Sequence, residues 1–305
     1  MIFDQFQRYQ TISRLLDEIR MKEKFCKLNI LEVGANSQKT LGKFTSDDIF
    51  YTDLQVPEGF ENDPDFFVAD ATNLKEIEDN SYDVVVASDV YEHIPEEKRS
   101  AFINEIHRVS RLAVILCFPI GSPEVEAAEK KVNEIYKRMF GEDHRWLIEH
   151  IINGLPRLNE FEKMLTQSQI KYTGFQHGGL SNWISLQFTQ LCLWDMSGLP
   201  QADILDNIYN GKYYYQDTDS ENYRVFYMLC KGINVNEYDK VCKGLFKDQG
   251  NHNNLKEECN RLAIEGIYKK VGETNHLVSQ LLDIVAKQNK VIEDLRNEIF
   301  NGRGV

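Results

Sequence analysis

Acidic and small side chains close several short apolar segments near the start of the chain, where they could bind a nucleotide. The first segment carries Glu32 and breaks at Gly34, two later ones end in Asp53 and Asp70, and a fourth ends in Ser88. Gly34 has no Cβ, so a ligand can approach its backbone closely. Asp53 follows Gly34 by about 20 residues, the separation at which a carboxylate meets the ribose of a bound nucleotide. This spacing predicts a nucleotide-type cofactor site.

The segments that must position these side chains have the pattern of buried strands and amphipathic helices. Helices are predicted over 3–21, over 36–46 as the first crossover, and over 95–109. The predicted strands cover 30–33, 49–53, 66–71, 82–89, 112–118, 171–176 and 224–230. The pattern predicts an α/β fold with a Rossmann-like, seven-stranded, mostly parallel sheet and helices on both faces.

The order of these segments, with Glu92-His93-Ile94 after the fourth strand, resembles the class I S-adenosylmethionine (SAM)-dependent methyltransferases of the small-molecule type. The resemblance covers about residues 1–178 and a last strand near 223–232. It implies SAM as cofactor, with Asp53 on the ribose and Ser88 near the methionine amino group. The family often has glycines where this chain has Asn36 and Gln38. The implied cofactor-binding residues are Glu32, Gly34, Ala35, Asn36, Asp53, Leu54, Asp70, Ala71, Ser88 and Asp89.

Two histidines are the leading candidates for catalysis. Methyl transfer depends mainly on holding the acceptor in line with the methyl group. An alcohol acceptor must also lose a proton, and a positioned base contributes about 10²- to 10⁴-fold. His93 follows the fourth strand, and His144 lies in a polar stretch beside Trp146; His150 and His177 are weaker candidates. The sequence spacing alone predicts no metal site.

The overall charge argues against nucleic acid as a substrate. The formal net charge is −13, and the catalytic half has no Lys/Arg-rich block to neutralise phosphates. The six cysteines form no CxxC pair, which is typical of reduced thiols. Neither a signal peptide nor a membrane-spanning run is recognised, so we expect a cytoplasmic protein.

An α-rich insertion is predicted over about 178–222, before the last strand of a methyltransferase domain at 1–235. Its aromatic residues include Trp183, Trp194 and Tyr213-Tyr214-Tyr215. They could form a lid or substrate wall, or a small core of the insertion itself.

The tail carries an apolar heptad pattern after a polar linker predicted at 236–252. Over 253–301 it predicts a coiled-coil helix and a parallel homodimer through 264–299. The alternative is one long amphipathic helix that packs on its own domain. Heptad positions a and d are Ile264, Val271, Val278, Val285, Ile292 and Ile299, and Ile267, Thr274, Leu281, Gln288 and Leu295.

Four functional hypotheses remain open at this stage. The leading one is O-methylation of a sugar or glycan hydroxyl in surface-polysaccharide biosynthesis, because methyltransferase domains with such a tail look like those found there. The second is methylation of a lipid, quinone or other metabolite. The third is a catalytically silent scaffold that presents the coiled coil. The fourth is an NAD-dependent oxidoreductase, although G-x-G-x-x-G is absent.

Overall fold

Seven strands form a single sheet in the computed structural model, which describes residues 1–35, 38–197, 199–246, 254–271 and 277–301. The strands are β1 (Asn29–Val33), β2 (Asp48–Asp53), β3 (Phe66–Val68), β4 (Tyr82–Ser88), β5 (Ser110–Pro119), β6 (Lys171–Gly179) and β7 (Asn222–Cys230). Their order is β3-β2-β1-β4-β5-β7-β6. Strands β1 to β5 pair in parallel, and β7 runs antiparallel to both β5 and β6. The predicted Rossmann-like, mostly parallel sheet is confirmed.

Helices cover both faces of this sheet. They are α1 (Phe3–Glu23), α2 (Glu96–Val109), α3 (Pro123–Phe140), α4 (Arg145–Asn153), α5 (Leu158–Gln167), α6 (Leu180–Ser197), α7 (Leu199–Ile208), α8 (Val235–Gly244), α9 (Leu255–Val271) and α10 (Leu277–Asn301). Within the described ranges, no helix is both long and apolar enough to cross a membrane.

The two faces of the sheet bury separate hydrophobic clusters because side chains alternate along each strand. Leu31 and Val85 point to the face covered by α2, α3 and α6. Their neighbours Ile30 and Val84 point to the opposite face, where α1 and α8 pack. Burial on both faces explains why the central strands are continuous apolar runs.

The insertion between β6 and β7 is α-rich, as predicted, and most of its described aromatic residues belong to the core, although Tyr215 is exposed. Trp183 stacks on Tyr223 of β7 with ring centroids 4.1 Å apart. Tyr209 and Tyr214 are buried and contact Phe3 and Phe6 of α1. These contacts favour the packing interpretation for the described rings over an open substrate wall.

Two expected segments differ in the structure. The crossover helix predicted at 36–46 is only a 3-10 helix at Thr40–Lys43 within the described residues. Lys39 precedes it with φ +47°, a left-handed conformation that an α-helix cannot include. Part of the predicted linker is the helix α8, which buries Tyr238 and Cys242. These side chains lie four residues apart on one helical face, a short apolar signal within a polar stretch.

The tail is described as two helices, α9 and α10, with residues 272–276 outside the described part. Helix α10 contacts α6 and α9 of the same chain. Ile292 packs against the core, and the Cys192 thiol donates to Gln288 Oε1 at 3.2 Å. Heptad positions Gln288 and Ile292 therefore favour packing on the chain's own domain, whereas Ile264 is exposed. The coiled-coil homodimer stays a prediction. A cavity of about 30 Å³ between these helices has room for one or two waters, not for a nucleoside.

Candidate cofactor and active site

The carboxyl ends of β1, β2 and β4 bring the predicted cofactor residues to one edge of the sheet. Val33 pairs with Thr52 in β2 and with Ala87 in β4. Because the three strands are parallel, the next residue of each, Gly34, Asp53 and Ser88, comes to the same level. In open α/β sheets, ligands bind at this edge where the strand order reverses, as it does between β1 and β4.

Gly34 must be glycine for two independent reasons. Its φ is +69°, a conformation that favours residues without a Cβ. A Cβ at this position would also lie 2.4 Å from Val90 Cγ2. Its N–H donates to Thr52 O at 2.9 Å and so ties the turn to β2. The next residue, Ala35, is buried, and Asn36 lies outside the described residues.

Glu32 is a buried carboxyl at this edge with a free acceptor atom. The Tyr9 hydroxyl donates to its Oε1 at 2.8 Å. Oε2 accepts no hydrogen bond from any residue that the structure describes. Burial raises the pKa of Glu32 to about 7, against the lowering effects of Tyr9 and Arg8. A cationic ligand beside Oε2 would relieve the cost of ionising this group.

Asp53 and Asp70 stand at the ends of β2 and β3 in different surroundings. Asp53 is partly buried, which raises its pKa, and its Oδ1 accepts from the N–H of the exposed Leu54 at 2.6 Å. Asp70 Oδ1 accepts from both the N–H and the hydroxyl of Thr72, at 2.9 and 2.7 Å, and these bonds lower its pKa. Asp70 therefore shapes the turn that places the buried Ala71, and each of the two aspartates uses only Oδ1 in these bonds.

Two arginines hold Asp89 at the end of β4. Arg224 donates to its two carboxylate oxygens at 3.0 and 2.6 Å, and Arg8 Nε lies 3.3 Å away. Burial alone would raise the pKa of Asp89, but the two guanidinium groups hold this pKa below its usual range. Arg8 also donates to Ser88 Oγ at 3.2 Å. Asp89 thus forms ion pairs within the protein. Arg8 places a positive charge at the carboxyl edge of the sheet.

Sequence reasoning gave no role to Arg8 or Arg224. Arg224 is fully buried in β7 and also bonds Gln7 at 2.7 Å and Asp4 at 3.0 Å. These partners are about as far away in sequence as the domain is long, so no local spacing could reveal them. The available signal was an arginine inside an apolar strand, because such a buried charge needs partners.

A second group of polar side chains lies just beyond β4. One potential ligand atom from each of Glu92, His93 and His150 can be chosen so that all three lie within 4.8 Å of one another. Glu92 and His93 belong to a short turn after β4, and His150 comes from α4. Spacing along the chain predicts no metal site, but the fold brings these three side chains together. The third donor comes from a separate helix, which spacing along the chain does not show.

The structure places His144 differently from His93. His144 caps the N-terminus of α4, where its Nδ1 accepts from Leu147 N at 3.5 Å. Its own N–H donates to Asn133 Oδ1 at 2.7 Å. Burial lowers the pKa of His144, and so does the neighbouring His150. His144 is outside the group formed by Glu92, His93 and His150.

Comparison with known proteins finds one family model that matches part of the chain. A family model described as "Methyltransferase domain" matches residues 37–118. No curated protein matches the chain.

Solved structures of several methyltransferases are similar to the chain. The plantazolicin methyltransferase BpumL, solved with a triazolic desmethylPZN analog and SAH, is 14% identical, with 75% of this chain and 86% of that chain covered and a TM-score of 0.48. A SAM dependent methyltransferase from Archaeoglobus fulgidus is 14% identical, with 72% and 94% covered and a TM-score of 0.40. Magnesium protoporphyrin IX methyltransferase from Synechocystis, with bound SAH, is 12% identical, with 74% and 84% covered and a TM-score of 0.40. At such identities the likeness concerns the fold alone.

Proposed function

We propose that the chain is a SAM-dependent methyltransferase that methylates a small-molecule acceptor, with a sugar or glycan hydroxyl as the leading candidate. The observation that carries this proposal is the constellation at the sheet edge: Glu32 with an unused oxygen, Gly34 at φ +69°, and Asp53 at the end of β2. The matched methyltransferase-domain model covers the segment from this edge to β5.

The residues at this edge fit the groups that SAM would present. Asp53 would accept from the ribose hydroxyls, and the turn at Asp70 and Ala71 would flank adenine. Glu32 Oε2 and Ser88 would accept from the methionine ammonium, and Arg8, which already reaches Ser88, would pair with the methionine carboxylate. SAM supplies an electrophilic methyl group, so the protein has mainly to orient the acceptor and remove a proton.

Two imidazoles are candidates for the proton acceptor. His93 follows Asp89 closely and has lowered basicity, because burial and His150 lower its pKa. The Nδ1 atom of His144 accepts the capping hydrogen bond from Leu147 N, so only its other ring nitrogen could accept a proton. An unprotonated imidazole is the form that can accept a proton from an alcohol.

The surroundings of His93 favour a sugar acceptor. Trp146 is half-exposed and meets His93 edge to face at 5.4 Å between ring centroids. A tryptophan ring open to solvent can pack against the apolar face of a sugar. The same helix exposes Ile151 and Ile152, which favours a lipid, quinone or other apolar metabolite as the alternative acceptor.

Two other classes of function make different predictions. A dinucleotide-binding oxidoreductase has strands in the parallel order 3-2-1-4-5-6, whereas β7 here is antiparallel. A silent scaffold would lack affinity for the cofactor.

Calorimetric titration with S-adenosylhomocysteine (SAH), with NAD in parallel, tests the proposal. We expect SAH to bind in a one-to-one ratio and NAD to give no heat of binding. Binding of NAD alone would support the oxidoreductase, and binding of neither would support the scaffold. If SAH binds, methyl transfer from SAM to sugar, lipid and quinone acceptors then distinguishes the substrate classes.

A further inference from the structure

Glu92 is a buried carboxyl group whose oxygens have no hydrogen-bond donor within the described residues. Its side chain is 0% exposed, and both Oε1 and Oε2 lack a hydrogen bond. Burial and the nearby Asp89 together raise the pKa of Glu92 to about 8, against the lowering effect of His150. An unpaired buried carboxylate is unfavourable unless a cation or a set of donors compensates it. The group therefore keeps its proton unless a positively charged partner compensates the ionised form.

One ring nitrogen of His150 faces Glu92, and the other contacts Glu129. Its Nδ1 lies 3.0 Å from Glu129 Oε1, while its Nε2 lies 4.0 Å from Glu92 Oε1 and makes no hydrogen bond to a described residue. Glu129 is itself fixed by the Tyr223 hydroxyl at 2.6 Å. A carboxylate on one imidazole nitrogen leaves the other as a lone-pair donor, the arrangement typical of metal-bound histidine.

His93 completes the group and opens it to solvent. Its ring centroid lies 4.9 Å from that of His150, and its side chain is 23% exposed. Glu149 Oε2 lies 2.9 Å from His93 Nδ1, which leaves Nε2 of His93 as the second ring nitrogen that could bind an ion. Donors on one tetrahedral ion are about 3.4 Å apart for bonds of about 2.1 Å. The three donors, which lie within 4.8 Å of one another, would move closer together to share one ion.

We propose that Glu92, His93 and His150 bind a divalent transition-metal ion, with Glu129 orienting His150. Two imidazoles and one carboxylate suit zinc, iron, manganese, cobalt or nickel, whereas magnesium and calcium prefer sites made of oxygen ligands. Three protein ligands leave positions for water or for an oxygen of a substrate. The site follows β4 directly, beside the edge at which the acceptor would meet SAM. This inference goes beyond the proposed function and does not require it. If His93 binds the ion, His144 is the remaining candidate for the proton acceptor.

The competing explanation is an ion pair in which a protonated His150 neutralises Glu92. Burial alone would lower the pKa of His150, but Glu129 and Glu92 raise it. The charged form of His150 is therefore accessible. Such a pair would satisfy Glu92 without an ion. Metal titration separates the two explanations.

The test is a zinc titration of the full chain after treatment with a chelator, followed by calorimetry. We expect one ion per chain. Glu129→Gln is expected to weaken zinc binding about 10- to 100-fold, as loss of an orienting partner does. Glu92→Gln, which removes a ligand, is expected to weaken it further. His107→Gln is the matched control, because His107 is also partly buried with an unpaired Nε2 but lies outside the cluster.

A cobalt spectrum identifies the ligand directly. His150→Cys is expected to give a sulfur-to-cobalt charge-transfer band in the near ultraviolet that the unmodified chain lacks. No zinc binding, equal zinc affinity in Glu92→Gln and His107→Gln, or no such band in a folded His150→Cys chain would overturn the metal site. SAH affinity measured in the same samples keeps this outcome separate from that of the proposed methyltransferase.

Discussion

Asp53 is the side chain whose assignment to the cofactor can be tested most directly. Asp53→Ala removes charge-assisted hydrogen bonds to the ribose, worth about 1.5–3 kcal/mol, so SAH affinity should fall roughly 10- to 150-fold. Asp48→Ala is the control, because Asp48 is exposed at the opposite end of β2 and pairs only with Lys27 among its described contacts. Equal affinity of the two variants in calorimetry would contradict the position given to the ribose.

Glu32 makes stability depend on pH with a definite sign. Its pKa is about 7 in the folded chain, above the ordinary value of 4.5, so the folded state binds the proton more tightly. Its contribution to stability is therefore complete below about pH 4.5 and is lost as pH rises through 7, by up to about 3 kcal/mol. Glu32→Gln keeps an acceptor for Tyr9 and should remove this slope.

Denaturant unfolding of both chains from pH 5 to 8 measures the effect. The difference between the chains isolates Glu32 from other buried acids, such as Asp206. A difference that does not change with pH would show that Glu32 has no raised pKa.

At the scale of the element, the turn after β1 depends on Gly34. Gly34→Ala introduces both a strained φ and a contact with Val90, so we expect a loss of about 2–4 kcal/mol and weaker SAH binding. Gly59→Ala is the matched control, because Gly59 has φ +89° but an added Cβ would meet no atom within 4 Å. If adding Val90→Ala to the Gly34→Ala chain restores part of the lost stability, that part is due to the clash. If it restores none, the loss is due to backbone strain alone.

Arg224 joins α1, β4 and β7 through a buried set of ion pairs. Arg224→Met leaves Asp4 and Asp89 with fewer partners, and breaking a buried pair costs about 3–5 kcal/mol. Arg111→Met in the adjacent β5 removes a half-exposed pair with Asp83, for which about 0–1 kcal/mol is expected. Urea unfolding of both variants compares the two, and similar losses would contradict the importance given to burial.

How much could be predicted from sequence differs between elements. The sheet could be predicted because strands such as β5 are continuous apolar runs. The start of α2 could be predicted from Pro95 and the acidic residues of the first turn. The segment after Gly34 was misjudged because Lys39 adopts φ +47°, which no residue type there signals. The cofactor edge followed from strand order. Strand order did not predict the ion pairs of Arg224 or the group formed by Glu92, His93 and His150. Arg224 is far from its partners in sequence, as His150 is from Glu92 and His93, and each set meets only in the folded chain.

For the whole molecule, the open question is whether α10 packs on its own chain or on a second copy. Ile292 contacts the core, whereas Ile284 on the same helix is exposed. If packing is intramolecular, Ile292→Asp should lose about 1–3 kcal/mol at every protein concentration and Ile284→Asp should lose little. Thermal unfolding over a concentration series measures this. A melting temperature of the unmodified chain that rises with concentration would instead support the homodimer.

The contacts of α1 also set an order of events during synthesis. The Phe3 N–H donates to Asp206 at 2.9 Å, and Gln7 donates to Tyr209 and Asp217 at 2.8 and 2.7 Å. At about 5–20 residues per second, a ribosome takes roughly 10–40 s to add the intervening chain. During that time the helix that supplies Arg8 and Tyr9 has none of these partners. These contacts of α1 can therefore form only after residues 206–217 have been added, so a nascent chain stalled before residue 206 should lack all three.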